Sequence, residues 1–159
     1  MANMAQNVRF VYLLRDPVSR IWSHCRMMAR RRANKPDEIQ RRSVNIMRRV
    51  INGKEPEIVR RSDYLGPVTR LRNIARDDQV FFGFYEELFK RETIGKISRF
   101  LGISHGWADF EKRFMEGPQA HMEPGQWHEM REFLAPQYDA MQKMLGNLPH
   151  SWGQEVMKA

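Results

Sequence analysis

The chain has 159 residues, 42% of them hydrophobic, which is enough for one domain with a packed core. No stretch approaches the roughly 20 apolar residues of a membrane-spanning helix, and a single cysteine, Cys25, excludes an internal disulfide. The formal net charge of +8 is unevenly placed: residues 1–61 carry 15 Lys and Arg against 5 Asp and Glu, whereas residues 62–159 carry 12 against 14.

The basic first part favours an anionic partner such as a nucleotide, a nucleic acid or an acidic polymer. Met1 to Asn7 is short and polar, with no signal-peptide pattern. With one cysteine, the expectation is a protein of a reducing, cytoplasmic compartment.

In chain order, Val8 to Leu14 (VRFVYLL) is a short apolar run rich in β-branched and aromatic residues. It reads as a strand buried on both faces, as in a parallel sheet. Arg15-Asp16-Pro17 ends it, with Asp16 as N-cap and Pro17 at the first position of a helix reaching about Arg32. The apolar stripe of that helix is Val18, Ile21, Trp22, Cys25, Met28 and Ala29. A second helix is expected from Asp37 to about Ile51, burying Ile39, Ile46, Met47, Val50 and Ile51 and stopping at Asn52-Gly53.

A third helical stretch spans roughly 56–75, with Tyr64, Leu65, Val68, Leu71 and Ile74 as its stripe and Pro67 as its kink or split. Val80 to Tyr85 (VFFGFY) is a second buried strand. A helix from about Glu92 to Leu101 follows and ends at Gly102. Residues 103–123 read as irregular, and a last helical stretch runs from Pro124 to Leu145 with a kink at Pro136. Strands alternating with helices give an α/β fold with a parallel sheet, in a chain that is predominantly helical. Two strands make a poor sheet, so either further strands come from elsewhere or the chain is a fragment.

Ligands of open α/β sheets bind beyond the carboxyl ends of the strands, where Arg15 stands. Ser19 and Ser23 lie four residues apart on one face of the following helix. The helix N-terminus is expected to add free N–H groups and a partial positive charge. An arginine fork, a hydroxyl and a helix terminus suit a phosphate, with Arg20 and Arg26 adding field. The bland alternative is a charged strand end, a capped helix and solvated serines.

The stretch from Val8 to His24, VRFVYLLRDPVSRIWSH, resembles the 3′-phosphate-binding motif of sulfotransferases that use the donor PAPS (3′-phosphoadenosine 5′-phosphosulfate). That motif is an apolar strand, Arg-Asp-Pro, a further Arg, and a Ser eight residues after the first Arg. The resemblance implies that Arg15 and Ser23 hold the 3′-phosphate of PAPS or PAP. Arg61-Ser62-Asp63-Tyr64, then Val80 to Leu88, then Ser98 to Ile103 are similar to the family's later half, where a strand ends in Tyr-Glu-Asp-Leu and a helix in Phe-Leu-Gly. Glu87 stands here in place of the Asp. Tyr64 is a donor-site candidate by the same resemblance, and a core aromatic on a helical stripe by its spacing. Tyr85 and Glu86 read as architectural. The tail, Met122 to Trp152, resembles the C-terminal helix of small bacterial members, with its Leu-Ala-Pro-x-Tyr stretch.

The resemblance implies an incomplete P-loop-NTPase-like parallel sheet, one partial sulfotransferase domain over residues 1–159, and transfer of a sulfuryl group from PAPS to a hydroxyl or amine acceptor. The family's Pro-Lys-x-Gly-Thr-type loop, which cradles the 5′-phosphosulfate, is not in this sequence, nor is a catalytic base upstream of the Arg-Asp-Pro strand. This chain alone is therefore expected to be inactive. Lys112 and Arg113 are the basic residues where the family places a late phosphate-binding loop; surface charge is their alternative. Two other readings stay open: an inactive truncated remnant, and a basic helical nucleic-acid-binding module carried by Arg26, Arg30, Arg31, Arg32, Arg41, Arg42, Arg48 and Arg49. No metal-ligand spacing is present among the histidines and Cys25.

Overall fold

A computed structural model describes residues 8–104, 106, 109–110, 117 and 119–152. The elements are β1 (Phe10–Leu14), α1 (Pro17–Arg32), α2 (Glu38–Ile51), α3 (Pro56–Arg60), α4 (Leu65–Ile74), β2 (Val80–Phe84), α5 (Arg91–Leu101), α6 (Pro124–Phe133) and α7 (Ala135–Leu145). Short 3₁₀ turns at Asp77–Gln79 and Tyr85–Glu87 flank β2. The fold is a helical α/β arrangement with one small parallel sheet. Its backbone packing gives two compact units, one of Met1–Arg15 with Gly66–Arg113 and one of Asp16–Leu65 with Phe114–Ala159.

In the first unit, β1 and β2 pair in parallel from Phe10 opposite Val80 to Leu14 opposite Phe84. Leu14 is fully buried, and Tyr12 meets Phe82 edge-on at 6.3 Å. Val11 and Leu13, on the other side of the pleat, are 36% and 39% exposed. The expectation of burial on both faces therefore fails: the described residues cover one face and leave the other apolar and open. Gly83 sits opposite Leu13, and a Cβ there would lie 3.0 Å from Leu13 Cδ2, so only glycine fits without displacing that leucine. α5 closes with Gly102 at φ +70°, the left-handed cap that its position in the sequence calls for.

The second unit is a helical assembly in which α1 packs along α2, with α3 and α6 against both and α7 following α6. Val18, Ile21, Trp22, Cys25 and Ala29 of α1 meet a core that includes Val44, Ile46, Met47 and Val50 of α2 and Met130 and Met141 of α6 and α7. Asp16 caps α1 as expected, its Oδ1 accepting the Ser19 N–H at 2.7 Å.

Two expected helices are each divided differently from the reading. The 56–75 stretch breaks at 61–64, upstream of Pro67. Ser62 Oγ donates to the Pro17 carbonyl at 3.3 Å, and the Tyr64 N–H donates to Gln137 Oε1 at 3.0 Å, so these residues are held outside the helix. Pro67 then falls in the first turn of α4, where its missing N–H costs nothing. Leu65 and Ile74, expected on the buried stripe, are 45% and 74% exposed. Likewise the last stretch parts at Leu134 rather than kinking at Pro136, which sits in the first turn of α7. Trp152 follows the Pro149 turn, its N–H donating to the Pro149 carbonyl at 2.8 Å, and stacks on Tyr64 at 6.3 Å. No helix among the described residues is long and apolar enough to cross a membrane.

Candidate functional site

Parallel pairing brings the carboxyl ends of β1 and β2 side by side. Because Leu14 is opposite Phe84, the next residues along, Arg15 and Tyr85, are neighbours. The Arg15 guanidinium lies over the Tyr85 ring, 4.7 Å from its centroid. An arginine over an aromatic face is attracted by the ring quadrupole, which fixes where its guanidinium stands. Tyr85 is braced in turn by Phe89, whose ring meets it edge-on at 5.3 Å. Tyr85, read from the sequence as architectural, is thus the residue that seats Arg15. The signal was present: two apolar runs of similar length in one parallel sheet bring their terminal residues together.

Arg15 ends the first segment of the first unit, and Ser23 belongs to the second unit. Ser19 and Ser23 are both half-buried on α1. Four residues apart, they share one side of the helix.

The start of α1 differs from the expectation of free amides. Pro17 has no N–H. The Val18 N–H donates to the Tyr138 hydroxyl at 3.4 Å, the Ser19 N–H to Asp16 Oδ1, and the Arg20 N–H to the Asp16 carbonyl at 2.9 Å. The N–H groups that a helix terminus would offer to an anion are therefore committed within the protein. A phosphate at this turn has to be gripped by side chains. Sequence spacing could not show this, because Tyr138 reaches Asp16 from 122 residues away.

Arg20 does not stand by for an anion either. Its Nε donates to the Arg61 carbonyl, and its guanidinium lies 5.8 Å from the Tyr64 ring centroid. Tyr64 itself is 1% exposed, between Trp152 on one side and Arg20 on another. It occupies the core position its spacing allowed. Burial, then the positive charges of Arg61, Arg31 and Arg20, lower the pKa of His24 below the usual histidine value. Burial pushes the Cys25 thiol up to about 12, which removes it as a nucleophile. Lys112 and Arg113 lie outside the described residues.

Of the eight arginines considered for a nucleic-acid face, Arg42, Arg48 and Arg49 are paired with Glu38, Glu123 and Glu55 at 2.8, 3.3 and 2.7 Å. These exposed pairs add little stability but interrupt the basic run. Among the described residues no group of His, Cys, Asp and Glu is arranged to hold a metal ion.

Comparison with known proteins agrees with this arrangement. A crystal structure of a sulfotransferase from Alicyclobacillus acidocaldarius has a similar fold, with a TM-score of 0.62 at 21% sequence identity over 92% of this chain and 57% of that one. The chain thus spans less than two thirds of that protein's length. No curated protein matches the chain at a significant level. The family model described as the sulfotransferase domain matches residues 2–148, nearly the whole sequence. With its parallel strand pair, its Arg-Asp-Pro turn and this match, the chain belongs to the sulfotransferase domain family.

Proposed function

We propose that this chain supplies the 3′-phosphate-binding part of a PAPS-dependent sulfotransferase, with Arg15 and Ser23 as the residues that grip that phosphate. The observation that carries the reading is the placement of Arg15: a guanidinium at the carboxyl end of a parallel strand, seated face-on against Tyr85. The half-buried Ser23 hydroxyl, eight residues on, supplies a second donor. Tyr64 is the third donor-site candidate; its burial favours a role in supporting the site over direct contact with the nucleotide.

PAPS supplies an activated sulfuryl group attached to a nucleotide phosphate. The residues here act at the far end of that donor. A bidentate arginine fork and a hydroxyl recognise a terminal phosphate dianion, which adenine nucleotides without a 3′-phosphate lack. Binding energy spent at this remote end orients the reacting end, as in other transfers governed by positioning. Transfer to a hydroxyl or amine acceptor also requires a phosphosulfate loop and a base; the Pro-Lys-x-Gly-Thr-type loop is not among these 159 residues, so the chain alone is expected to bind the donor without turning it over. One partial domain over residues 1–159 and a cytoplasmic location, from the single cysteine, belong to the same proposal.

Calorimetry with PAP and AMP tests it. The wild-type chain is expected to prefer PAP. Arg15→Ala should lose about 1.5–3 kcal/mol of PAP binding, the range for hydrogen bonds to a charged group, with little change for AMP. Equal PAP affinity in both proteins overturns the assignment.

A further inference from the structure

The first turn of α7 touches both segments on which the donor reading rests. Gln137 Oε1 accepts the N–H groups of Tyr64 and Leu65 at 3.0 and 3.3 Å, and its Nε2 donates to Asp63 Oδ1 at 3.3 Å. The next residue, Tyr138, is 3% exposed; its hydroxyl donates to Asp16 Oδ2 at 2.5 Å and accepts from the Val18 N–H. Trp152 meets the Tyr138 ring edge-on at 6.1 Å, and the Arg131 guanidinium lies 3.5 Å from its centroid. Adjacent residues of one helix thus fasten the Arg-Asp-Pro turn and the Ser-Asp-Tyr segment.

We infer that Tyr138 is a positioning residue for the anion site, holding the Asp16 carboxylate on the start of α1 so that it does not compete with a bound phosphate. The inference rests on the donor reading above and deepens it. Asp16 is itself an anion next to the arginine that is to bind one. Left loose, its carboxylate would repel a phosphate and compete for the same cations. In the structure both its oxygens are occupied, Oδ1 by the Ser19 N–H and Oδ2 by the Tyr138 hydroxyl, and Asp16 is 6% exposed. Burial, followed by the charge of Asp16 and the hydrogen bond to it, raises the Tyr138 pKa well above that of an ordinary phenol, so the hydroxyl keeps the proton it donates. The same hydroxyl takes the Val18 N–H, completing the satisfaction of the helix start. Removing this one oxygen frees an acceptor and a donor together, without touching the nucleotide.

The test compares wild type, Tyr138→Phe, Tyr138→Phe with Asp16→Asn, and Met141→Ala, a core change in the same helix. Each is titrated calorimetrically with PAP and with AMP, and its melting temperature is recorded. Tyr138→Phe should weaken PAP about tenfold, the scale of one hydrogen bond to a charged group, and leave AMP unchanged. Adding Asp16→Asn removes the competing charge and should restore most of the preference for PAP. Met141→Ala should lower the melting temperature at least as much and keep that preference.

A wild type without preference for PAP removes the donor reading and this inference with it. A wild type that prefers PAP and a Tyr138→Phe protein that keeps the preference overturn the inference alone. If Tyr138→Phe does not fold, Asp16→Asn by itself decides: PAP binding equal to or tighter than wild type supports the proposal, and a loss as large as that of Arg15→Ala overturns it.

Discussion

The two compact units treat similar apolar residues differently. In the helical unit Ile21, Cys25, Met47, Val50, Met130 and Met141 are completely covered. In the unit built on the strand pair, Val11, Leu13, Tyr85, Phe89, Leu101 and Ile103 are each at least a third exposed. Hydrophobicity alone does not separate the groups; geometry does. Helices bury one stripe each and can satisfy one another, whereas a parallel sheet has two faces and two edges to cover. β1 has the composition of a strand covered on both faces, and the described residues cover one. Arg15 is thus carried by the less buried unit, and the capped helix α1 by the better buried one.

This contrast can be tested first where it should be largest. Met47→Ala in the helical core is expected to cost about 2–5 kcal/mol in denaturant unfolding, the range for deleting a fully buried methionine. A loss under about 1 kcal/mol would show that this core is no better packed than a surface. A smaller effect is expected on acidification. The unfolded chain protonates His24 at the ordinary histidine value of 6.5, whereas the folded chain, with its lowered pKa, resists until a lower pH. The unfolded state therefore binds more protons in that window, and stability should fall as pH drops below about 6.5 and level off once the folded pKa is passed. His24→Gln should flatten this slope in melting experiments at successive pH values; an unchanged slope would assign it to other groups. The smallest effect belongs to the open sheet face. Val11→Thr should change stability by no more than about 0.5 kcal/mol, as for an exposed position. It should also reduce self-association measured by light scattering, because the face it interrupts is exposed and apolar.

The strand–turn–helix from Phe10 to Arg32 was legible in the sequence because each of its signals is local: an apolar run, a capping Asp, a Pro at the first helical position and a stripe at helical spacing. Features set by distant residues were not. The 56–75 stretch was expected to bend at its proline, yet it opens at 61–64, where Gln137 and Pro17 supply hydrogen-bond partners. The amides at the start of α1 read as free in the sequence, whereas the Val18 N–H donates to the Tyr138 hydroxyl. Tyr85 falls between these cases. Its place beside Arg15 follows from strand register, which two apolar runs of similar length contain but do not announce.

Gly83 makes room beside the strand that leads to Arg15. With no side chain at 83, Leu13 lies across the neighbouring strand rather than being lifted from it. Arg15 follows on the same side of the pleat, opposite Tyr85. A bulkier residue at 83 would press on the Leu13 side chain, whose terminal methyl lies 3.0 Å from where its Cβ would stand, and on the Phe81 ring at 3.1 Å. The smallest residue in the sheet thereby leaves room for the leucine two positions before Arg15.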